Sequence, residues 1–480
     1  MTIRLRYTGI INFGSNLFSL ITGLIFTAIV ARSLSQTDLG LWYFIDTNVA
    51  IFVILKNIIP FWLTRNYARG KDVASTGIIA NVVLSIPFFI AYVVILPYFK
   101  NIWISPLHFG FASSFIILHF ILSSLTALVR AKNPEKLAYS LALGEFVKLI
   151  CYPLISNYQL LGVIIVTAIS HTTEIIYLFR SLKFSKKIEL EYVRIWIGSS
   201  WVLIIGLIGI TIVQNLHKYI LGLISLESLG FYSIYNVITS KVLIANSLAS
   251  GLYPKLLSRK GKSEDIEEVL SLTTMFAIPM TLGGIILARD LVSIMGSKYL
   301  HIDQANQILF LMFIVTFIKV FDSVFQSVAV GLEETDKGIF YQKAILKSRI
   351  FWNNIIPYLS VIISAPLLFA LVPSFGLNAV VCIQLGAAIL LCLLRYVLAS
   401  KSIKFYIPIK RIVKYGISSM PMVLILLILP RGRGSIVTVF EVLIGFLIYI
   451  ISLWIFDSET KKLASSIISE ARSLITIGSK

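Results

Sequence analysis

The chain has 480 residues, 57% of them hydrophobic and 14% charged, with a formal net charge of +19. A soluble domain carries about 25% charged residues, so this composition is too poor in charge for a surface that faces water on all sides. Apolar runs of about 20 residues, each long enough to cross a hydrocarbon core about 30 Å thick, recur throughout; they exclude a soluble protein and assign the positive excess to loops at one membrane face rather than to nucleic acid.

The opening MTIRLRYTGI leads into an apolar run that reaches about Val30. That is too long for the core of a signal peptide, so a retained first span is expected near 8–31. Further spans are expected near 40–63, 76–98, 108–129, 138–156 and 160–179. The charged stretch RSLKFSKKIELEYVR, Arg180 to Arg194, follows as a linker. Beyond it, spans are expected near 196–216, 228–253, 267–288, 304–330, 350–370, 375–398, 413–430 and 435–456. The expected fold class is all-α and polytopic, with about 14 transmembrane helices. The segment 401–414, basic and partly apolar, and the tail 458–480 read as membrane-surface elements.

An even number of spans puts both termini on one side. With that side cytoplasmic, the outer segments hold only Arg32, Lys100, Lys218, Arg289, Lys298, Arg431 and Arg433 of the 42 Lys and Arg. Cytoplasmic loops carry the excess of Lys and Arg, so this orientation is the expected one.

Two stretches carry the same punctuation. ARSLSQTDLGLWYF runs from Ala31 to Phe44, and LGLISLESLGFYSI from Leu221 to Ile234. At an offset of 190, Ser35 matches Ser225, Leu39 matches Leu229, Gly40 matches Gly230, Trp42 matches Tyr232, and Arg69 matches Arg259. Six spans separate the copies, so both point the same way across the membrane, as a parallel duplication does. Each copy reads as a turn between two helices. Ser35 or Thr37 is placed to cap the first, and Ser225 or Ser228 the second. Asp38 and Glu227 suit the positive end of the following helix, and Gly40 and Gly230 allow close backbone approach. A pair of tight turns explains each copy locally; the duplication itself calls for two like-oriented six-helix lobes. The expected division is 1–180 and 196–400 as lobes, 181–195 as linker, 401–457 as an interfacial segment with two further spans, and 458–480 as tail. Two such lobes enclose a cleft that tilts open to either side, which is the architecture of a transporter.

ARSLSQTDLGLWYF, and HKYILGLISLESLGFYSI from His217, resemble the lobe-opening signatures of polysaccharide flippases in the multidrug/oligosaccharidyl-lipid/polysaccharide exporter superfamily. The resemblance covers nearly the whole chain. It implies twelve core helices in two lobes plus two extra helices. The implied activity moves a polyprenyl phosphate- or pyrophosphate-linked oligosaccharide from the cytoplasmic to the outer leaflet of the plasma membrane by alternating access. The implied partners are that lipid-linked oligosaccharide and the membrane lipids, with a proton or sodium ion as coupling candidates. Relatives often carry an acid where this chain has His217, so a coupling role for that acid does not transfer.

A charge in mid-membrane costs roughly 2.5–3.5 kcal/mol, so those that persist face a wet cavity or a partner. Lys56 and Lys241, on the second span of each lobe, are the candidates for gripping a phosphate in a central cationic cavity, with Asp46 as partner or coupling group. Snorkelling toward headgroups is the competing reading. Asn16, Gln214 and Asn215 are candidate donors to sugar hydroxyls, or interhelical glue. His171 and Glu174, three apart, are candidates for a proton relay. Glu145 with Lys148, and Lys319 with Asp322, share helix faces at the same spacing and are expected to neutralise each other.

Cys151, Cys382 and Cys392 lie within apolar runs with no CxxC and no nearby His, so neither a metal nor a cofactor is expected. No phosphate-binding Gly loop, HExxH or nucleophile elbow occurs. A carrier is therefore expected rather than an enzyme. The alternatives are a carrier of the same fold for a cell-wall lipid precursor or a drug, the latter as an ion antiporter, and, more remotely, a membrane saccharide polymerase.

Overall fold

The computed structural model describes residues 2–95, 106–133, 135–182, 184, 188–198, 200–251, 262–300, 304–331, 348–429 and 434–456, with side chains from Phe18 onward except at 106, 248–251 and 331. Among these residues there is no strand. The helices are α1 (Thr2–Ser33), α2 (Gln36–Phe52), α3 (Ile58–Ala68), α4 (Ala74–Ile95), α5 (Pro106–Lys132), α6 (Glu135–Ile150), α7 (Tyr152–Arg180) and α8 (Leu190–Gly198). They continue with α9 (Trp201–Ile224), α10 (Leu226–Thr239), a 3₁₀ segment (Ser240–Gly251), α11 (Ser263–Ile286), α12 (Ala288–Met295), α13 (Ala305–Gly331), α14 (Arg349–Ser400), α15 (Ile409–Ile428) and α16 (Ser435–Phe456).

Nine helices among the described residues are singly long and apolar enough to cross a membrane. α1 covers the first expected span by itself, and the others are reached by joining or dividing helices. α2 and α3 form one span across a break at Val53–Asn57, and α10 runs on into the 3₁₀ segment. α6 joins the first turns of α7, which reverses at Gln159 (φ 49°, ψ −122°). α14 divides at Gly376 (φ 53°, ψ −130°), between Pro373 and Leu377. Both reversals fall where the apolar runs predict a loop. The chain is an all-α integral membrane protein.

Contacts divide it into two units, residues 1–237 with 335–383, and 238–334 with 384–480. In the first, α5 packs on α3, α4 and α7, and α6 packs on α1 and α7. Its clustered core includes Ile59, Leu63, Tyr67, Leu128 and Trp196, all buried. The short helix α8 packs on α3 and α4, and just beyond it Ser200 Oγ accepts from Trp62 Nε1 of α3 at 2.8 Å. Lys71 Nζ lies 5.0 Å from the centre of the Tyr192 ring. This unit also takes in α9, which packs on α2.

In the second unit, α11 packs on α13 and α15, and α15 on α16. Val324, Phe325 and Val328 of α13 meet Ile266, Leu270, Ala399 and Phe405 in its core. Residues 404–408 carry no regular structure, and Lys410, Arg411 and Lys414 lie in the first turns of α15. The expected surface helix over 401–414 therefore does not form. Phe405 pulls that stretch into the core against Tyr396, with ring centroids 5.9 Å apart. The expected surface helix of the tail lies outside the described residues.

Candidate functional site

The duplicated turns are the first landmark. Ser35 caps α2, its Oγ accepting from the Asp38 N–H at 3.0 Å and donating to Asp38 Oδ2 at 2.7 Å. Ser225 serves α10 in the same way, accepting from the Ser228 N–H at 3.1 Å. Thr37 and Ser228 are thereby excluded as the capping residues. The glycines then show why the punctuation is written twice. A Cβ on Gly40 would overlap the carbonyl oxygen of Leu226, and one on Gly230 would lie 2.6 Å from the carbonyl oxygen of Gln36. Leu226 and Gln36 are themselves 190 apart, so the two copies touch each other reciprocally, as a two-fold axis requires.

Farther along α2, the Phe44 ring stacks on Tyr219 of α9 with centroids 5.8 Å apart, and Gly222 leaves room for Phe44 against α9. His217 is buried and pairs its Nε2 with Tyr232 OH at 2.9 Å. It is committed to fastening α9 to α10.

Beneath this packed layer the first unit gathers charge. Asp46 lies two residues beyond Phe44 and its side chain is exposed, although it stands in mid-span. Lys218 of α9, Lys56 of the α2–α3 break and His171 of α7 all act on it electrostatically, Lys218 most strongly. His119 of α5 is within reach of Lys56 and His171, and its ring lies 5.0 Å from that of His171. His171 Nδ1 is 3.8 Å from Glu174. Phe115 links the group back to α2, at 6.3 Å from both His171 and Trp42. Five elements thus bring two lysines, two histidines and two acids together.

The break that carries Lys56 has its backbone cared for. Its carbonyl oxygen accepts from Ser123 Oγ at 2.9 Å and from Asn81 Nδ2 at 3.2 Å. Asn81 is fully buried and also donates to the Phe120 carbonyl at 2.8 Å. In a membrane, broken helices persist only where protein groups replace the lost helix bonds, and here α4 and α5 supply them.

The expected site residues fare differently. Asp46, Lys56, His171 and Glu174 come together. Gln214 is exposed on α9, whereas Asn215 is buried and donates to the Thr211 carbonyl of its own helix at 3.0 Å. Lys241 lies in the 3₁₀ segment of the second unit. Asn16 lies on α1, but its side chain is outside the described residues. Lys148 pairs with Glu145 at 2.8 Å as expected. Asp322 forms an ion pair with Arg395 of α14, and Lys319 acts on it electrostatically as expected.

Two members of the group were not foreseen, Lys218 and His119. The expected span 196–216 ends before Lys218, but α9 runs on to Ile224. The polar run Gln214–Lys218 interrupts the hydropathy without ending the helix. A signal was present: Gly222 lies four residues beyond Lys218, on the same helix face, and small residues mark the face that meets a neighbouring helix.

No family model matches the chain, and no curated protein does. Solved structures do. A lipid II flippase, MurJ, in an inward closed conformation superposes with a TM-score of 0.63 at 16% identity, covering 93% of this chain and 98% of that one. A multidrug transporter of the MATE family, MOP superfamily, in an inward-facing conformation gives 0.55 at 13%, covering 82% and 97%. The MATE multidrug transporter DinF-BH in complex with R6G gives 0.56 at 14%, covering 83% and 95%. At these identities the likeness establishes a shared fold and nothing finer.

Proposed function

We propose that this protein is a flippase. It moves a polyprenyl phosphate- or pyrophosphate-linked oligosaccharide from the cytoplasmic to the outer leaflet of the plasma membrane, with both termini cytoplasmic. The observation that carries this reading is the pair Lys56 and Lys218 beside the exposed Asp46, on elements that cross the membrane. Uncompensated cations at such depth are costly, and an ammonium is a good point charge for phosphate. Lys241 is the second lobe's own mid-span cation. In this reading the lobes are residues 1–180 and 196–400, they rock in alternating access, and the acyl tail stays in the bilayer while the headgroup enters the cavity. Asp46, His171 and Glu174 are the candidates for coupling to a proton or sodium ion, and the exposed Gln214 for donating to sugar hydroxyls.

A second reading, export of a cationic drug, draws on Asp46 and Glu174 as acids and on the fold shared with multidrug transporters. Binding separates the two. Purified protein in nanodiscs is titrated with a polyprenyl pyrophosphate and with a cationic amphiphile. The flippase reading expects saturable binding of the first that weakens at least tenfold in Lys56→Gln. Saturable binding of only the cationic ligand, lost in Asp46→Asn, selects the exporter.

A further inference from the structure

The short helix α8 is fastened along one side and left bare along the other. Tyr192 and Trp196, four apart and so on one face, turn inward. Trp196 is buried in the core with Ile59, Leu63 and Tyr67, and Tyr192 packs against that core. Both ends are tied as well. Just before α8 the Glu189 N–H donates to Thr76 Oγ1 of α4 at 3.0 Å, and just after it Ser200 Oγ accepts from Trp62 Nε1 of α3 at 2.8 Å. Leu190, Arg194 and Ile197 follow at the spacing i, i+4, i+7 and share the opposite face. All three are exposed, Leu190 to 74% and Ile197 to 50%.

The two ties also fix the depth of the helix. α3 ends at Ala68 and α4 begins at Ala74, and Arg69, Lys71 and Asp72 are exposed in the turn between them. That charged turn marks the edge of the membrane. Glu189 meets α4 in its first turn, whereas Ser200 meets α3 at Trp62, well before its end. At about 1.5 Å per residue, α8 descends along the bundle from the turn to roughly 9 Å beneath it. The apolar face of an amphipathic helix beds at about that depth, roughly 5–10 Å into the boundary between headgroups and acyl chains.

The surroundings are basic. Among the described residues of 65–73, 130–136 and 180–198, the exposed cations are Arg69, Lys71, Arg130, Lys132, Arg180 and Arg194, and the exposed acids are Asp72, Glu189 and Glu191. Two of the ammoniums are held over rings, Lys71 5.0 Å from the centre of Tyr192 and Lys132 4.2 Å from that of Tyr67, which keeps their charge at the rim of the core. Arg194 stands on α8 itself, between two exposed aliphatic residues. The apolar stem of an arginine lies among acyl chains while its head reaches headgroup level, and its planar fork matches two oxygens of a phosphate.

We propose that α8 is a lipid-binding helix: its Leu190–Ile197 face beds in the leaflet on this side of the membrane, and Arg194 holds the phosphate of an anionic phospholipid. The choice of headgroup follows from charge. The surplus of exposed cations favours a lipid of net negative charge over one whose phosphate is neutralised by its own choline. The occupant is a bulk membrane lipid, so the inference stands whatever cargo the protein carries. Held by lipid on one face and by Trp196 on the other, α8 sets the level from which α9 starts at Trp201.

Two measurements in nanodiscs test this, with Cys151, Cys382 and Cys392 replaced by Ser. In the first, spin labels are placed singly at Leu190→Cys, at Ile197→Cys and, as the aqueous control in the turn, at Asp72→Cys. The labels at 190 and 197 are expected to relax several-fold more with oxygen, which partitions into lipid, than with a water-soluble nickel chelate, and the label at 72 the reverse. A preference for the chelate at 190 and 197 puts the face in water and overturns the proposal. Labels there that are closed to both reagents mark a face covered by protein and overturn it as well. In the second, a bimane fluorophore at Ile197→Cys reads the headgroup locally. Brominated phosphatidylglycerol is expected to quench it several-fold more than brominated phosphatidylcholine at equal mole fraction, and Arg194→Gln to make the two equal. Because Arg194 is exposed, that variant keeps the fold, which a thermal melt verifies. Equal quenching in the parent, or a preference that survives Arg194→Gln, overturns the phosphate contact. Loss of the preference on adding inorganic phosphate at constant ionic strength identifies a site for the free anion and overturns the lipid one.

Discussion

Gly40→Ala perturbs the contact between the duplicated turns with a single methyl group. The new Cβ would overlap the Leu226 carbonyl, a backbone group that no rotamer change can move aside, so α2 and α10 must separate. Overpacking of this kind costs about 1–3 kcal/mol. It works against the gain of up to ~1 kcal/mol that Ala brings over Gly in a helix. A net loss of roughly 1–2 kcal/mol is expected. Gly230→Ala meets the Gln36 carbonyl at 2.6 Å and should behave alike. The double variant should lose less than the sum, because the first methyl opens the gap that admits the second. Gly416→Ala is the control, since nothing lies within 4 Å of its Cβ; it should be neutral or slightly stabilising. Unfolding in detergent, followed by tryptophan fluorescence, ranks the four proteins. Gly40→Ala as stable as Gly416→Ala, or strict additivity in the double variant, refutes the reciprocal contact.

Arg395→Met should destabilise the second unit by about 3 kcal/mol, since it strands the carboxylate of Asp322. Arg395→Met with Asp322→Leu should recover most of that loss, and a double-mutant cycle by chemical denaturation reads both. Asn81→Leu removes one of the donors to the Lys56 and Phe120 carbonyls, each of which keeps Ser123, and should cost about 0.5–1.5 kcal/mol for each bond lost; the same denaturation assay measures it. Gly376→Ala meets no neighbour, so its cost is the backbone strain of φ 53°, ψ −130° alone, about 1–3 kcal/mol. Gln159→Gly at φ 49° should change stability in the opposite direction, and thermal melts of the two variants show the signs.

Much of the fold was legible because a membrane span is a local feature: its length and apolarity are written in consecutive residues. PSFG, with Gly376 at its close, marked a reversal that the backbone makes at that residue. The breaks after Phe52 and Thr239 were not legible, because Val53–Leu55 is as apolar as the helix before it. What licenses the first break is Asn81 and Ser123, contributed by spans that lie distant in sequence. Helix spacing offers Lys319, which does act on Asp322, but for the same reason it cannot show Arg395 on α14. In the sequence Gln214, Asn215 and His217 look like the end of a span, which puts Lys218 outside the membrane. In the fold, Asn215 and His217 are buried with partners and the helix continues past them.

Transport itself is the most direct measurement. Purified protein is reconstituted in vesicles with a fluorescent polyprenyl pyrophosphate-linked oligosaccharide, and the label in each leaflet is read by a membrane-impermeant quencher. The proposed mechanism expects the wild-type protein to move the lipid between leaflets. Lys56→Gln and Lys241→Gln, folded and inserted as wild type, should abolish that movement. Translocation at the wild-type rate by both variants, or none by the wild-type protein, contradicts it.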